Sequence, residues 1–228
     1  MVIVSCILVI KKIMGQKVNP KSIRLKINEN WQSKWFGRHN FAENLISDIK
    51  IRRTLLTKLK DASISNIDIK RDANKVSIDI FSGRPGVVIG RGGAGSDELK
   101  KFLSTFVKDK IQINIIEIKR PDGNAAIIGQ NIANQIEKRM PFRRAMKQSI
   151  EKAKTTGVKG MKIQISGRLN GADIARSEKL AFGTVPLGTF KSKIDYAYIT
   201  ALTTYGIIGI KVWIYNGEKI MTIDELIN

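Results

Sequence analysis

A run of glycines constrains this chain more than any other feature: Val87-Val88-Ile89-Gly90-Arg91-Gly92-Gly93-Ala94-Gly95. Glycine reaches backbone conformations that other residues avoid and leaves the main chain bare, so such a stretch is a sharp connection that a ligand can approach. Its neighbours set its meaning. Upstream, Asn66 to Lys70 and Lys75 to Phe81 read as two strands around an Asp72-Ala73-Asn74 turn, with Val76, Ile78 and Ile80 alternating with Ser77 and Asp79. Downstream, Ser96 to Val107 read as a helix with Leu99, Phe102, Leu103 and Phe106 on its apolar face, and Ile111, Ile113 and Ile115 alternate on a third strand. Before all of these, Phe41 to Ala62 read as a helix with Leu45, Ile49, Arg52 and Leu56 on one side and Leu55 and Leu59 beside them. The order is helix, strand, strand, glycine loop, helix, strand.

Two patterns overlap in the loop. Gly90, Gly92 and Gly95 spell the G-x-G-x-x-G of a dinucleotide site, while Ile89 with Gly90-Arg91-Gly92-Gly93 spells the I-G-x-x-G of a KH domain. Their chemistry is similar, because backbone at glycine comes close to a phosphate and the following helix offers free N–H groups and a positive dipole end. Context separates them. A dinucleotide site needs a buried strand leading into the first glycine, and Pro85-Gly86 leaves only Val87, Val88 and Ile89 for it. The acidic residue expected about twenty positions on is also poorly placed, since Asp109 sits in a Lys-flanked turn and Glu117 comes late. The KH reading assigns Gly90–Gly93 to the sugar–phosphate backbone, gives Arg91 a charge-assisted contact, and leaves a groove of flanking apolar residues for unstacked bases.

Arg120-Pro121-Asp122-Gly123 is the clearest punctuation in the chain and marks a domain boundary. Beyond it, Asn124 to Arg139 read as a helix capped by Asp122, with Ile128, Ile132 and Ile136 aligned. Met140-Pro141 interrupts, and Phe142 to Thr155 read as a second helix. Arg143, Arg144, Lys147 and Lys154 lie on or near one side of it, broken by Glu151, and Phe142, Met146, Ile150 and Ala153 form the other. Met161, Ile163 and Ile165 then alternate with Lys162, Gln164 and Ser166 on a strand, and Val185–Thr189, Lys193–Thr204 and Ile207–Tyr215 read as further strands.

Charge supplies the partner. Forty Lys plus Arg against twenty Asp plus Glu give a formal +20, spread among regular apolar periodicities. A folded surface this cationic draws polyanions by releasing their counterions; nucleic acid is the first candidate and an anionic membrane surface the second. A single cysteine, Cys6, rules out an internal disulfide framework, and a single histidine, His39, leaves no metal cluster. No metal, cofactor, nucleophile–base pair or P-loop is expected. Val2 to Ile10 form an apolar run too short to span a bilayer and without the flanks of a secretory signal. The reading here is that translation starts at Met14 and that residues 1–13 are absent from the native protein, which an intact-mass measurement decides.

Four blocks now carry a resemblance. Met14-Gly15-Gln16-Lys17-Val18-Asn19-Pro20, Phe142-Arg143-Arg144-Ala145-Met146-Lys147, Ser166 to Arg176 (Ser-Gly-Arg-Leu-Asn-Gly-Ala-Asp-Ile-Ala-Arg) and Thr203 to Ile214 (Thr-Thr-Tyr-Gly-Ile-Ile-Gly-Ile-Lys-Val-Trp-Ile) occur, with the glycine loop, in one order between Met14 and about Lys219. Together they resemble the bacterial KH-domain family that is third in the small ribosomal subunit's series. The resemblance implies an α+β chain: a basic arm over 14–40, a type-2 KH domain (α-β-β-α-(α)-β) over 41–119, a family-specific α/β domain over 120–219 with two helices on a mixed or antiparallel sheet, and a short tail over 220–228.

It further implies a non-enzymatic constituent of the cytoplasmic ribosome. Such a protein binds small-subunit ribosomal RNA in the subunit head, through the KH loop (Ile89, Gly90, Arg91, Gly92, Gly93), with Lys17, Arg24, Arg168 and Arg176 as further candidates. Arg143, Arg144 and Lys147 would face messenger RNA at its entrance and help unwind structured message. Arg176 has an equally simple alternative, an ion pair with Glu178 or Asp173. The fourth, fifth, tenth and fourteenth small-subunit proteins would be neighbours, with no membrane and no homo-oligomer. The sequence departs from the family pattern at Ser22 and Lys26, where glycine is usual, and at Ala181, Thr184, Gly188 and Lys193. A free-standing KH regulator and, remotely, a nicotinamide-dependent enzyme are the competing functions.

Overall fold

Alternation of β-branched residues builds the first sheet. The structure, a computed structural model, describes residues 17–37, 40–72, 75–106 and 109–218; the expectations for residues 1–13, Cys6, His39 and the tail over 220–228 lie outside them. β1 (Ser33–Lys34) runs parallel to β2 (Ile64–Asp72), β2 pairs antiparallel with β3 (Lys75–Ser82), and β3 runs parallel to β4 (Lys110–Glu117), in the order β1-β2-β3-β4. Val76, Ile78 and Ile80 of β3 are fully buried. Against them pack Ile51 and Leu55 of α1 (Phe41–Lys58), Val88 of α2 (Pro85–Ile89), and Leu99 and Leu103 of α3 (Ala94–Leu103).

Three expectations change here. The buried stripe of α1 is Asp48, Ile51 and Leu55, rotated from the expected one, and Leu45, Ile46, Ile49 and Leu56 stay exposed. The helix carries apolar residues on two sides, and tertiary structure selects the side that brings the Asp48 carboxylate to Arg71 of β2, 2.6 Å away. The helix also stops at Lys58, with a 3-10 turn over Lys60–Ala62. Finally, Phe106 is outside α3 and exposed, edge-on to Phe102, whose ring carries the Lys58 ammonium at 3.5 Å.

The second sheet is wholly antiparallel, in the order β6-β5-β8-β7, formed by β5 (Gly160–Gly167), β6 (Arg176–Gly183), β7 (Ser192–Thr203) and β8 (Gly206–Glu218). α4 (Ala125–Glu137) and α5 (Phe142–Thr155) cover one face, where Ile128, Ile132, Phe142, Met146 and Ile150 meet Met161, Ile163, Ile165, Ile210 and Val212. The cap of α4 is Asn124, not Asp122: its side-chain oxygen accepts from the N–H groups of Ala126 and Ile127. Asp195 of β7 takes the Ala125 N–H at 2.7 Å. The edge strand is Arg176–Gly183, not Val185–Thr189, which forms a loop. Pro186 in that loop has no N–H to give a ladder, and the loop's carbonyls are taken by an arginine instead.

That arginine is Arg24. It is fully buried, donating from Nε to Ser192 O (2.8 Å), from Nη1 to Pro20 O (3.0 Å) and from Nη2 to Leu187 O and Thr189 O (both 2.9 Å). Residues 20–34 are therefore no loose arm. They are stitched to the second domain by Arg24 and by Lys21, which lies 2.9 Å from Asp195, and to the first sheet by β1. Lys26 adopts φ 65° in this segment. Left-handed backbone costs a residue with a Cβ about 1–2 kcal/mol, which is the physical reason glycine suits the position.

Candidate nucleic-acid interface

The glycine loop joins two helices. Pro85 opens α2, where a fixed φ and a missing N–H do no harm, and the helix closes with Gly90 N–H on Gly86 O at 3.0 Å. A 3-10 turn over Arg91–Gly93 leads into α3. No strand runs into the first glycine, so the dinucleotide geometry is absent. Gly90, Gly92 and Gly93 all have positive φ, at 70°, 59° and 85°. A Cβ on Gly90 would sit 3.0 Å from Gly95 N, and one on Gly95 would sit 2.9 Å from Val88 O. These two glycines let the helices approach each other. Gly92 and Gly93 do something else: nothing lies within 4 Å of a Cβ there, so their backbone faces open space at the start of α3. Arg91 and Ile89 are exposed beside them. Along the open edge of β4, Lys75, Lys100 and Lys110 rim a groove of about 510 Å³ whose wall includes Ile111 and Ile113.

On α5 the apolar side turns inward as its spacing predicts, leaving Arg143, Arg144 and Lys147 exposed. Arg143 is not free. Its Nε and Nη2 donate to the two carboxylate oxygens of Glu178 on β6, both at 3.1 Å. The bond holds the Glu178 carboxyl below its ordinary pKa. Arg176 Nε shares the same carboxylate at 3.4 Å, so of Glu178 and Asp173 it pairs with Glu178. The pair is solvent-exposed and screened, so phosphate oxygens can replace Glu178 around Arg143.

Arg168 is exposed but tethered, donating to Ala172 O at 2.9 Å and reaching Asp173 at 3.4 Å. Arg24, a candidate RNA contact from sequence, is corrected: its guanidinium is buried and donates to five main-chain carbonyls, those of Pro20, Pro186, Leu187, Thr189 and Ser192. Lys17 is exposed and stands next to Lys162 of β5. Burial, with the Lys17 and Lys179 ammonium groups close by, lowers the Lys162 pKa. Lys162, Lys179 and Lys211 were not singled out from sequence, although the β5 alternation already put Lys162 opposite the buried isoleucines.

Among the described residues no helix is long and apolar enough to cross a membrane. Comparison with known proteins supplies the frame for this geometry. Residues 50–123 match the family described as "KH domain", and residues 132–214 match "Ribosomal protein S3, C-terminal domain". The chain is 51% identical over 209 residues to the small ribosomal subunit protein uS3 of Enterococcus faecalis, covering 92% of this chain and 96% of the relative. It is 48% identical over 205 residues to that of Ligilactobacillus salivarius, covering 90% and 94%, and 51% identical over 209 residues to that of Lysinibacillus sphaericus, covering 92% and 96%. The glycine loop between two helices and the helix-covered antiparallel sheet are thus the two halves of one known protein type, and the chain belongs to the small ribosomal subunit protein uS3 family.

Proposed function

We propose that this chain holds small-subunit ribosomal RNA through its Gly90–Gly93 loop and lines the entrance of the messenger RNA path with the outer face of α5, loosening structured message there. Membership of its family makes it a structural constituent of the small ribosomal subunit and not an enzyme. The observation that carries the RNA reading is the open backbone at Gly92 and Gly93, presented at a helix N-terminus beside an exposed Arg91. The site of action is the cytoplasmic ribosome. Arg143, Arg144 and Lys147 support the messenger role because they share one exposed helix face. They would act by gripping phosphates, without catalysis. Lys17 and Arg168 remain further contacts in this reading, and Arg176 becomes one only by leaving Glu178. The fourth, fifth, tenth and fourteenth small-subunit proteins are the proposed neighbours, and the exposed Leu45, Ile46, Ile49 and Leu56 of α1 support a protein contact on the KH side.

Ribosomes carrying Arg143→Ala with Arg144→Ala are expected to translate messages with a stable hairpin several-fold more slowly than normal ribosomes. Unstructured messages should be nearly unaffected. The check is a translation-rate comparison on paired templates; equal slowing of both would remove the unwinding role.

A further inference from the structure

The face of the second sheet turned away from α4 and α5 is apolar where Val185 and Leu187 pack over Ile194, Trp213 and Tyr215, and cationic beside that cluster. Strand register sets side chains in straight rows across it. Lys179 of β6 pairs with Gln164 of β5, Gln164 with Lys211 of β8, and Lys211 with Tyr198 of β7. In the next row Ala181 pairs with Lys162, Lys162 with Trp213, and Trp213 with Tyr196. Residues two apart on a strand share a face, so all of these stand opposite the buried Met161, Ile163, Ile210 and Val212. Lys17 from the N-terminal segment joins them beside Lys162. Among these rows and Lys17 there is no carboxylate: four ammonium groups share the face, and two of them crowd Lys162.

Each lysine in these rows faces a neutral partner across the strands, so the positive charge gathers on the face without a directly opposed like-charge pair. Two aromatic residues lie beside the amines. Trp213 is only 5% exposed, with the Lys162 ammonium 5.4 Å from its ring centroid, and the Lys211 ammonium is 5.9 Å from that of Tyr198. Trp213 is packed in a cluster with Ile194, Tyr215, Val185, Leu187 and Tyr196 and offers no open face, whereas Tyr198 stays 57% exposed. Adjacent strands lie about 4.8 Å apart, so Lys179 and Lys211, two strands apart, stand about 10 Å apart. Ammonium groups at this spacing suit a line of phosphates.

We infer that the outer face of the β6-β5-β8-β7 sheet is a second RNA site, separate from the KH loop, in which Lys17, Lys162, Lys179 and Lys211 grip the sugar–phosphate backbone of helical RNA without reading its sequence. The inference rests on the RNA-binding reading above and adds a site to it. Charge complementarity selects the occupant, because a carboxylate-free lysine face matches a polyanion.

The test uses the full chain carrying Lys162→Gln, Lys179→Gln and Lys211→Gln, titrated with a double-stranded RNA of arbitrary sequence over a range of salt. Affinity at low salt should fall roughly tenfold or more, and the slope of log affinity against log salt should shrink by about 2–3, near 0.9 per lost phosphate contact. The variant should melt no lower than the parent, because crowded charge has been removed. A control with the same charge loss elsewhere (Lys50→Gln, Lys60→Gln, Lys101→Gln) should lose clearly less. Unchanged duplex affinity in the sheet variant overturns the site. Equal loss in the control also overturns it, by showing that net charge alone is felt. An unaltered chain that ignores RNA altogether would instead remove the reading on which the site rests, so the two failures are distinguishable.

Discussion

Replacing Gly92 and Gly93 together with aspartate is expected to weaken binding to small-subunit ribosomal RNA by about 100-fold while leaving the chain folded. The size follows from losing one or two charge-assisted contacts of about 1.5–3 kcal/mol each, at tenfold per 1.4 kcal/mol. Two carboxylates would also stand where phosphate must approach. The fold should survive because no atom lies within 4 Å of either new Cβ. The remaining cost is left-handed backbone, about 1–2 kcal/mol per residue and least severe for Asp and Asn, against a total stability of about 5–15 kcal/mol. A titration beside a circular-dichroism melt checks both halves. Full affinity in the folded variant would show that RNA does not use the loop. Glycines 90 and 95 would be the wrong targets, since a Cβ there presses α2 against α3.

The largest effect on stability is expected at Asp48. Its side chain is 2% exposed and receives Trp35 Nε1 at 2.8 Å, Ser33 Oγ at 3.1 Å, and Arg71 Nε and Nη2 at 2.9 and 2.6 Å. Arg71 is itself only 7% exposed. Asp48→Ala leaves that guanidinium buried without its main counter-charge, a change worth about 3–5 kcal/mol. It also frees the β1 segment, held to α1 through Ser33 and Trp35. Urea unfolding measures the loss. Asp48→Leu combined with Arg71→Met should recover much of it, because neither charge then remains to be desolvated. A loss below about 1 kcal/mol would mean that water reaches the pair.

Period-2 and period-3.6 patterns made β3, α4, α5 and β5 readable, because each buries a single face and its apolar residues recur at one spacing. The same logic misled at α1. Apolar residues lie on two sides of that helix, and the deciding interaction is a carboxylate meeting an arginine 23 residues away, which no local window contains. The edge strand Arg176–Gly183 has no clear alternation in sequence, because Arg176 and Glu178, polar groups that pair with each other and with Arg143, share a face with the half-buried Leu180 and Phe182. Arg24 looked like any surface arginine of a basic segment. Its burial depends on carbonyls some 162 to 168 residues on. In the candidate site, the glycine loop and the α5 face could be read from spacing. The lysine rows could not, because they exist only through strand register.

A cationic scaffold that holds RNA through bare backbone and lysine-rich faces must bind RNA in isolation. Equilibrium titration of the purified full chain with a small-subunit ribosomal RNA fragment, repeated from low to moderate salt, tests it most directly. Tight binding at low salt is expected, with a steep linear fall of log affinity against log salt of about 0.7–0.9 for each phosphate engaged. Absence of binding at low ionic strength by the folded protein would contradict it.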